Sequence, residues 1–254
     1  MVTIATTTVA DAVDQAVARL KFDELHRDYW EQNEFLVIPQ FLSRDFVETM
    51  FVPQAQGVKP RLNRNYIPGH KKGGSVSYYT VQEEAPVFLD LYRSPAFLAF
   101  LRRLTGTNLM LCPENDPHSC ALYYYTEAGD HIGFHYDTSY YKGARYTILM
   151  GLVDKSTQCK LVCELFKDVP GKTPRPLELV TRPGDMVIFN GDKLWHAVTP
   201  LGAGEERIAL TMEYVTNPEM GALKRLYSNL KDSFAYFGVR GVFKRAFSSP
   251  SKTR

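Results

Sequence analysis

Seven short apolar segments, each bounded by turn-forming residues, lie between residues 121 and 214 and constrain the fold of this chain most strongly. Short apolar runs that are rich in β-branched and aromatic residues and separated by turns are typical of β-strands. The predicted strands are 121–125, 146–153, 160–166, 177–180, 186–189, 196–198 and 208–214. No internal repeat relates these segments, so we expect one β-barrel core.

The residues on either side of the predicted barrel favour helices, with apolar residues at three- and four-residue steps. Ser94 followed by Pro95 is a typical helix start, and Gly106 is a typical end. The predicted helices are 8–30, 86–92, 94–104 and 218–237, with one further strand at 35–38. The basic, glycine-containing segment 59–74 lacks periodicity, so we expect a loop there and a candidate lid over the site.

Length and composition favour a single enzyme domain spanning residues 1–254. It divides into a mixed, largely helical part (1–120), a barrel core (121–216), a helical segment (217–247) and a flexible tail (248–254). The net charge of +2 and the interspersed acidic and basic residues argue against a nucleic-acid partner. The absence of a signal sequence and of a long uncharged apolar stretch predicts a cytoplasmic protein without a membrane partner. The sequence leaves open whether the protein forms a homodimer.

Four cysteines, Cys112, Cys120, Cys159 and Cys163, show no metal-binding spacing with nearby histidines. Cys159 and Cys163 are too far apart along an extended strand to form a disulfide bond. We therefore expect buried, reduced thiols that pack in the core.

His135, Asp137 and His196 form a candidate metal site. Residues two apart in an extended segment point the same way, so His135 and Asp137 can reach one ion while Tyr136 faces elsewhere. His196 follows a turn and a short strand and would supply the third ligand. Two imidazoles and one carboxylate on one face of Fe(II) leave the opposite positions open for an oxidisable ligand and O2. The pattern therefore indicates an oxygen-activating iron enzyme.

Arg207 opens the last predicted barrel strand and is a candidate anchor for an acidic cosubstrate. A guanidinium can bind a carboxylate through two parallel hydrogen bonds, which suits the distal carboxylate of a 2-oxo diacid. Tyr123 and Tyr125, on the first predicted barrel strand, are predicted to help Arg207 hold the cosubstrate.

With these residues in place, the segment from Ala121 to Tyr214 resembles the Fe(II)/2-oxoglutarate-dependent oxygenase superfamily. The resemblance implies a β-rich α+β protein: a distorted double-stranded β-helix of the jelly-roll, cupin-like type, braced by N-terminal and C-terminal helices. The stretch Gly133-Phe134-His135-Tyr136-Asp137-Thr138-Ser139-Tyr140-Tyr141 is similar to bacterial enzymes that halogenate or hydroxylate free amino acids. The halogenating members carry glycine where this chain has Asp137, so the resemblance implies hydroxylation.

The resemblance further implies Fe(II), 2-oxoglutarate and O2 as cofactor and cosubstrates, with ascorbate as a reductant. The expected reaction couples C–H hydroxylation of a small molecule to decarboxylation of 2-oxoglutarate to succinate.

Glu213 and Thr211 are candidate substrate contacts, because alternation along the last strand places them on the same face as Arg207. A buried carboxylate needs a cation, from either the protein or the substrate, so Glu213 suggests a basic, lysine-like amino acid. Alternatively, Glu213 lies in water at the barrel rim or pairs with a nearby basic residue. Further candidate contacts are His131, Glu114, Asp116 and Arg64. His26, His70 and His118 are expected at the surface.

Three alternatives stay open at this point. One is hydroxylation or desaturation of a carrier-bound amino acid or another small natural product. A second is a Zn(II) or Mn(II) cupin-type hydrolase or isomerase with the same three ligands, against which Arg207 argues. The third is a non-enzymatic sensor of a small molecule.

Overall fold

The computed structural model describes residues 7–220 and contains one large antiparallel sheet within that range. The core strands are β5 (Cys120–Tyr125), β6 (His131–His135), β7 (Arg145–Asp154), β8 (Leu161–Leu165), β9 (Arg175–Leu179), β10 (Met186–Asn190), β11 (Trp195–Val198) and β12 (Arg207–Val215). Four strands precede them: β1 (Phe35–Ile38), β2 (Asn63–Ile67), β3 (Lys71–Val76) and β4 (Met110–Leu111). The seven strands predicted between residues 121 and 214 are confirmed, as is β1, and β6 is an additional one.

The strand order is β1-β10-β7-β12-β5-β3-β6-β11-β8-β9. Strand β3 joins the two halves of this path, because Gly74–Val76 pair with β5 while Lys71 and Lys72 pair with β6. The sheet is strongly curled, so its inner face encloses a barrel interior and its outer face meets the helices. This arrangement agrees with the predicted jelly-roll fold.

Alternation along β12 separates the two faces of the sheet. Ile208, Leu210, Met212 and Tyr214 belong to an apolar core shared with the helices. Ala209 belongs to a second apolar core inside the barrel, together with Leu149 and Phe189. Arg207, Thr211 and Glu213 share the inner face with Ala209, as the strand period of two requires. The predicted inward orientation of these side chains is therefore confirmed.

Helices cover the outer face of the sheet. Their bounds are α1 (Val9–Ala18), α2 (Phe22–Glu31), α3 (Arg44–Phe46), α4 (Val52–Val58), α5 (Tyr78–Glu84), α6 (Val87–Tyr92) and α7 (Pro95–Thr105), with a π-helical turn at Val47–Phe51. Phe41, Phe51, Phe88 and Phe97 pack between them and the sheet. The predicted bracing by N-terminal helices is confirmed.

The capping geometry at the helix ends tests two of the predicted helices. Helix α7 starts after Ser94, whose hydroxyl accepts the Phe97 backbone N–H, and ends at Gly106 with φ +64°, as predicted. The helical character predicted over residues 8–30 is confirmed, but it is divided between two helices: α1 ends at a C-cap on Arg19, and α2 starts after Lys21.

The segment 59–74 is a β-hairpin rather than the predicted loop. A 3₁₀ turn (Lys59–Arg61) leads into β2, which pairs along its length with β3. Strand β3 in turn pairs with two barrel strands, so this segment is part of the sheet. Its backbone hydrogen bonds stabilise it where the sequence offers no apolar pattern.

Three expectations concern the chain as a whole. The predicted C-terminal helix lies outside the described residues from residue 221 onwards. None of the helices within residues 7–220 has the length and apolar character needed to cross a bilayer, while a cytoplasmic location stays a prediction. The four cysteines are buried free thiols, as predicted.

Candidate functional site

Three side chains converge at one end of the barrel. Strands β6 and β11 pair so that His135 lies directly opposite His196, and Asp137 follows two residues after β6. The Asp137 carboxylate lies 3.4 Å from Nε2 of His135 and 3.8 Å from Nε2 of His196. One ligand atom from each of the three residues lies within 4.8 Å of the others, a spacing that suits a single metal ion. The structure thus brings together the three residues that the sequence singled out.

The two imidazoles are held by the backbone. Nδ1 of His135 lies 2.9 Å from the Gly133 carbonyl oxygen, and Nδ1 of His196 lies 3.1 Å from that of Leu194. An Nδ1–H bonded to a carbonyl fixes the tautomer in which Nε2 carries the free lone pair. Burial lowers the pKa of His196 to about 4, so this imidazole is neutral at pH 7 and available to a metal.

Asp137 is kept ionised by its neighbours. Burial raises the pKa of its carboxyl, but His196, His135 and Arg145 outweigh burial and hold that pKa well below its ordinary value. Oδ2 of Asp137 also accepts a hydrogen bond of 2.8 Å from the Thr147 hydroxyl. A charged carboxylate next to two imidazoles is the ligand set expected for a divalent metal.

Arg207 lies inside the barrel with only 1% of its surface exposed. Its Nη2 donates to the Thr181 hydroxyl at 3.0 Å, and its guanidinium lies 5.1 Å from the centre of the Tyr125 ring. Its Nε and Nη1 have no hydrogen-bond partner among residues 7–220. A buried guanidinium with two free donors is costly unless an anion binds it, so this geometry fits a carboxylate ligand.

A cavity connects the candidate metal ligands to Arg207. Its volume of about 140 Å³ is enough for small organic molecules. Tyr125, Tyr123 and Thr211, all predicted ligand contacts, line this cavity. The Tyr123 hydroxyl lies 3.1 Å from Nδ1 of His118, and Nζ of Lys71 lies 5.3 Å from the centre of its ring. Burial raises the pKa of Tyr125, so its phenol stays protonated and can donate a hydrogen bond.

Opposite Arg207, a buried network of charges forms the cavity wall. Nε of Arg145 lies 2.8 Å from Oε2 of Glu213, while its Nη2 is 3.9 Å from Oδ2 of Asp116. The Tyr141 hydroxyl donates to the same Asp116 oxygen at 2.7 Å. Burial disfavours the charge of Arg145, but Glu213 and Asp116 raise the pKa of its guanidinium above the ordinary value. The cation that balances Glu213 is therefore Arg145, a protein residue, so Glu213 by itself gives no evidence for a basic substrate.

Three predicted substrate contacts lie away from the cavity. Arg64 forms a two-pronged ion pair with the buried Asp130, at 2.6 and 3.1 Å, which fixes the β2–β3 hairpin to the turn before β6. Nδ1 of His131 lies 2.8 Å from the Gly129 carbonyl oxygen, and Glu114 is an exposed residue 3.7 Å from Arg93. None of the three lines the cavity, so their role as substrate contacts stays a prediction that its geometry does not support.

Several cavity residues were not predicted from the sequence. His70 and His118, expected at the surface, line the cavity, as do Tyr136, Tyr140, Tyr141 and Arg145. His70 occupies the turn of the β2–β3 hairpin, and its ring meets the His135 ring edge to face, with 6.0 Å between centres. The run of tyrosines after Asp137 was a usable sequence signal, since these residues must lie close to the metal ligands.

Comparisons with solved structures agree with this geometry. The carbocyclase SnoK from nogalamycin biosynthesis superposes with a TM-score of 0.62 and 18% identity, covering 83% of this chain and 92% of that chain. This chain has the double-stranded β-helix fold. The epimerase SnoN from the same biosynthesis gives a TM-score of 0.62 at 16% identity, with 76% and 81% coverage. A prolyl-4-hydroxylase from Pseudomonas putida gives 0.58 at 15% identity, with 77% and 98% coverage. No protein-family model and no curated protein matches the sequence.

Proposed function

We propose that this chain is an Fe(II)- and 2-oxoglutarate-dependent oxygenase that acts as one domain and hydroxylates a free, basic amino acid. The observation that carries the proposal is the pairing of the His135, Asp137 and His196 cluster with Arg207, whose buried guanidinium offers two free donors across the same cavity. A hydrolytic Zn(II) site needs the metal and a water molecule but no buried anion anchor. Arg207 therefore favours the oxygenase over the hydrolase.

In this proposal each residue has a defined task. His135, Asp137 and His196 would hold Fe(II), and Arg207 with Thr181 would bind the distal carboxylate of 2-oxoglutarate. Bound iron, 2-oxoglutarate and O2 supply an oxidant that inserts one oxygen atom into a substrate C–H bond as 2-oxoglutarate becomes succinate and CO2. The protein's contribution is placement, since an error of about 1 Å can cost two orders of magnitude in rate. Ascorbate would serve as an external reductant.

The similar solved structures support the oxygenase class. They include prolyl hydroxylases, a 2-oxoglutarate-dependent epimerase and a 2-oxoglutarate-dependent carbocyclase. Structures of one neighbour, HygX from Streptomyces hygroscopicus, contain nickel and 2-oxoglutarate. These proteins share the fold with this chain and are named for different reactions. Hydroxylation is proposed here because Asp137 occupies the third ligand position.

Asp116 supports a substrate that carries a positive charge. Arg145 lies 2.8 Å from the Glu213 carboxylate but 3.9 Å from the Asp116 carboxylate. Asp116 is therefore the less fully paired of the two carboxylates in this wall of the cavity. Tyr141 donates to Asp116, and the cavity wall around it carries tyrosine and histidine side chains that suit an ammonium or guanidinium group. A basic amino acid would place its cation at Asp116 and its aliphatic chain towards the metal.

The test is mass spectrometry of a reaction containing purified protein, Fe(II), 2-oxoglutarate, ascorbate and air with a pool of free amino acids. The expected result is succinate in step with a basic amino acid that has gained one oxygen atom. Asp116→Asn should raise the KM for that amino acid at least ten-fold, while the exposed Glu114→Gln serves as the matched control and should leave it unchanged. Unchanged KM in both variants would contradict the Asp116 assignment.

Two other outcomes of this reaction would change the proposed substrate or the proposed enzyme class. Succinate formation without a modified amino acid would keep the oxygenase and contradict the free amino acid, in favour of a carrier-bound or other natural-product substrate. Absence of succinate with every substrate, combined with metal-dependent hydrolysis or isomerisation, would contradict the oxygenase itself.

A further inference from the structure

Asp137 is surrounded more closely than its role as a ligand requires. Gly191 packs against its backbone and Cβ: a Cβ atom at Gly191 would lie 2.8 Å from the Asp137 Cβ and 2.7 Å from its carbonyl oxygen, so no larger residue fits there without moving Asp137. On the other side, the Thr147 hydroxyl lies 2.8 Å from Oδ2. Contacts this tight leave the side chain little rotational freedom.

Arg145 anchors both sides of this arrangement. Its carbonyl oxygen accepts the Gly191 backbone N–H at 2.7 Å, which holds the turn between β10 and β11 against Asp137. Its guanidinium holds Glu213 at 2.8 Å, and Oε2 of Glu213 lies 3.1 Å from the Thr147 hydroxyl. The register of the sheet makes this possible, because Thr147 lies directly opposite Glu213 in the β7–β12 pair.

The Thr147 hydroxyl therefore lies between two carboxylates and has one proton to donate. Its shorter contact is to Oδ2 of Asp137, while Oδ1 of Asp137 is the oxygen that lies 3.4 Å from Nε2 of His135. Oδ2 of Asp137 lies 3.8 Å from Nε2 of His196, so the hydroxyl fixes the plane of the carboxylate beside both histidines. A carboxylate held in one orientation presents its oxygens to a metal without first having to rotate into place.

We propose that Arg145, Glu213, Thr147 and Gly191 form a cradle that orients the Asp137 carboxylate for binding a metal, with Thr147 as the positioning residue. The inference rests on the metal site of the proposed function, but it needs neither 2-oxoglutarate nor turnover. It also gives the inward acidic residue a place in this arrangement: Oε2 of Glu213 lies 3.1 Å from the Thr147 hydroxyl, and Arg145 balances the charge of Glu213.

The test is Mn(II) binding to the full chain, measured by titration with electron paramagnetic resonance and without 2-oxoglutarate. Thr147→Val replaces the hydroxyl by a methyl group of similar size in a strand, where valine is favoured. We expect a 10- to 100-fold weaker Mn(II) affinity and a changed spectrum of the bound ion. Thr147→Ser, which keeps the hydroxyl, should stay within about three-fold of the wild-type affinity.

Two further variants separate the cradle from general effects on folding. Thr105→Val removes another buried threonine hydroxyl, which donates to the Leu101 carbonyl oxygen in helix α7, and should leave Mn(II) binding unchanged. Gly191→Ala pushes Asp137 from the opposite side and should weaken Mn(II) binding even if Thr147→Val does not fold. If Thr147→Val folds and binds Mn(II) with wild-type affinity and spectrum, the cradle is overturned and the proposed metal site is kept. If only Gly191→Ala folds, wild-type Mn(II) binding in that variant has the same meaning. Wild-type protein that binds no Mn(II) would overturn both the cradle and the proposed metal site.

Discussion

Replacing Arg207 by methionine tests the anchor for the cosubstrate, because methionine keeps most of the apolar contacts and removes the charge. Nε and Nη1 of Arg207 have no partner among residues 7–220, so both are available to a carboxylate in the dry barrel interior. A hydrogen bond to a charged group contributes about 1.5–3 kcal/mol. Losing two such bonds, less the cost of burying the charge, should weaken 2-oxoglutarate binding by about 3 kcal/mol, or roughly 100-fold in Kd.

The assay is calorimetric titration of 2-oxoglutarate into Mn(II)-loaded protein under nitrogen. Arg182→Met is the control, because Arg182 is an exposed arginine one residue from Thr181, and it should leave the Kd unchanged. The free energy of unfolding of Arg207→Met without ligand should stay within about 1 kcal/mol of wild type, since the lost hydrogen bond to Thr181 and ring contact with Tyr125 are offset by removal of a buried charge whose Nε and Nη1 have no partner among residues 7–220. A Kd within five-fold of wild type in Arg207→Met would refute the assignment.

Three further predictions concern stability and the thiols. Asp130→Asn removes a fully buried charge that pairs with Arg64 and accepts the backbone N–H groups of Thr126 and Glu127, so it should lower the free energy of unfolding in urea by about 3 kcal/mol. Burial raises the pKa of Asp130, but Arg64 and the two N–H groups lower it overall, so this stabilisation is present at neutral pH and is lost as the pH falls through the folded-state pKa. The wild-type and variant stabilities should converge in acid, and parallel curves would contradict the reasoning. Gly184→Ala places a Cβ 2.2 Å from the Leu42 carbonyl oxygen at φ +88° and should cost roughly 2–4 kcal/mol in the same assay. The control Gly57→Ala, in helix α4, meets no atom within 4 Å and should leave stability unchanged or raise it by up to about 1 kcal/mol. The four buried cysteines should react with a thiol reagent only after denaturation, because burial raises the pKa of Cys159 to about 11 and of Cys163 to about 12; rapid labelling of the native protein would show that the core is open.

The strands predicted from the sequence include those with the most deeply buried side chains. Strands β7, β10 and β12 are almost entirely buried, with apolar residues on both faces or on the helix-facing side. Strand β3 was not predicted, because Lys71-Lys72-Gly73-Gly74 has neither apolar alternation nor strand propensity. Its conformation comes from the hairpin with β2 and from pairing with β5 and β6, which are distant in sequence and which no local pattern reports.

In the candidate site too, the residues found from the sequence are those with a recognisable local spacing, and those missed depend on pairing between distant strands. His135, Asp137, His196 and Arg207 were found because spacing and residue chemistry restrict them, whatever the details of the sheet. The partner of Glu213 was not found, because it depends on the register between β7 and β12. Once that register is known, the pairing of Arg145 with Glu213 follows from the cost of leaving either charge buried alone.

The predicted substrate contacts that lie outside the cavity have a related cause. Arg64, His131 and Glu114 were chosen as polar residues in predicted loops, and polarity alone does not distinguish a cavity wall from an outer turn. In the structure, the Arg64 guanidinium forms two hydrogen bonds with Asp130, a buried aspartate in the turn before β6. Asp116 was weighed with Glu114 and differs from it in being tied to Tyr141 within the cavity.

Calorimetric binding of 2-oxoglutarate with and without Mn(II), under nitrogen, tests the central claim most directly, because it requires the metal ligands and Arg207 to act on one molecule. The account predicts tight binding with Mn(II), at least 100-fold weaker binding without it, and loss of the metal-dependent part in His196→Ala. Equal binding with and without Mn(II), or no binding in either case, would contradict the claim that these residues form one site for a metal and a 2-oxo diacid.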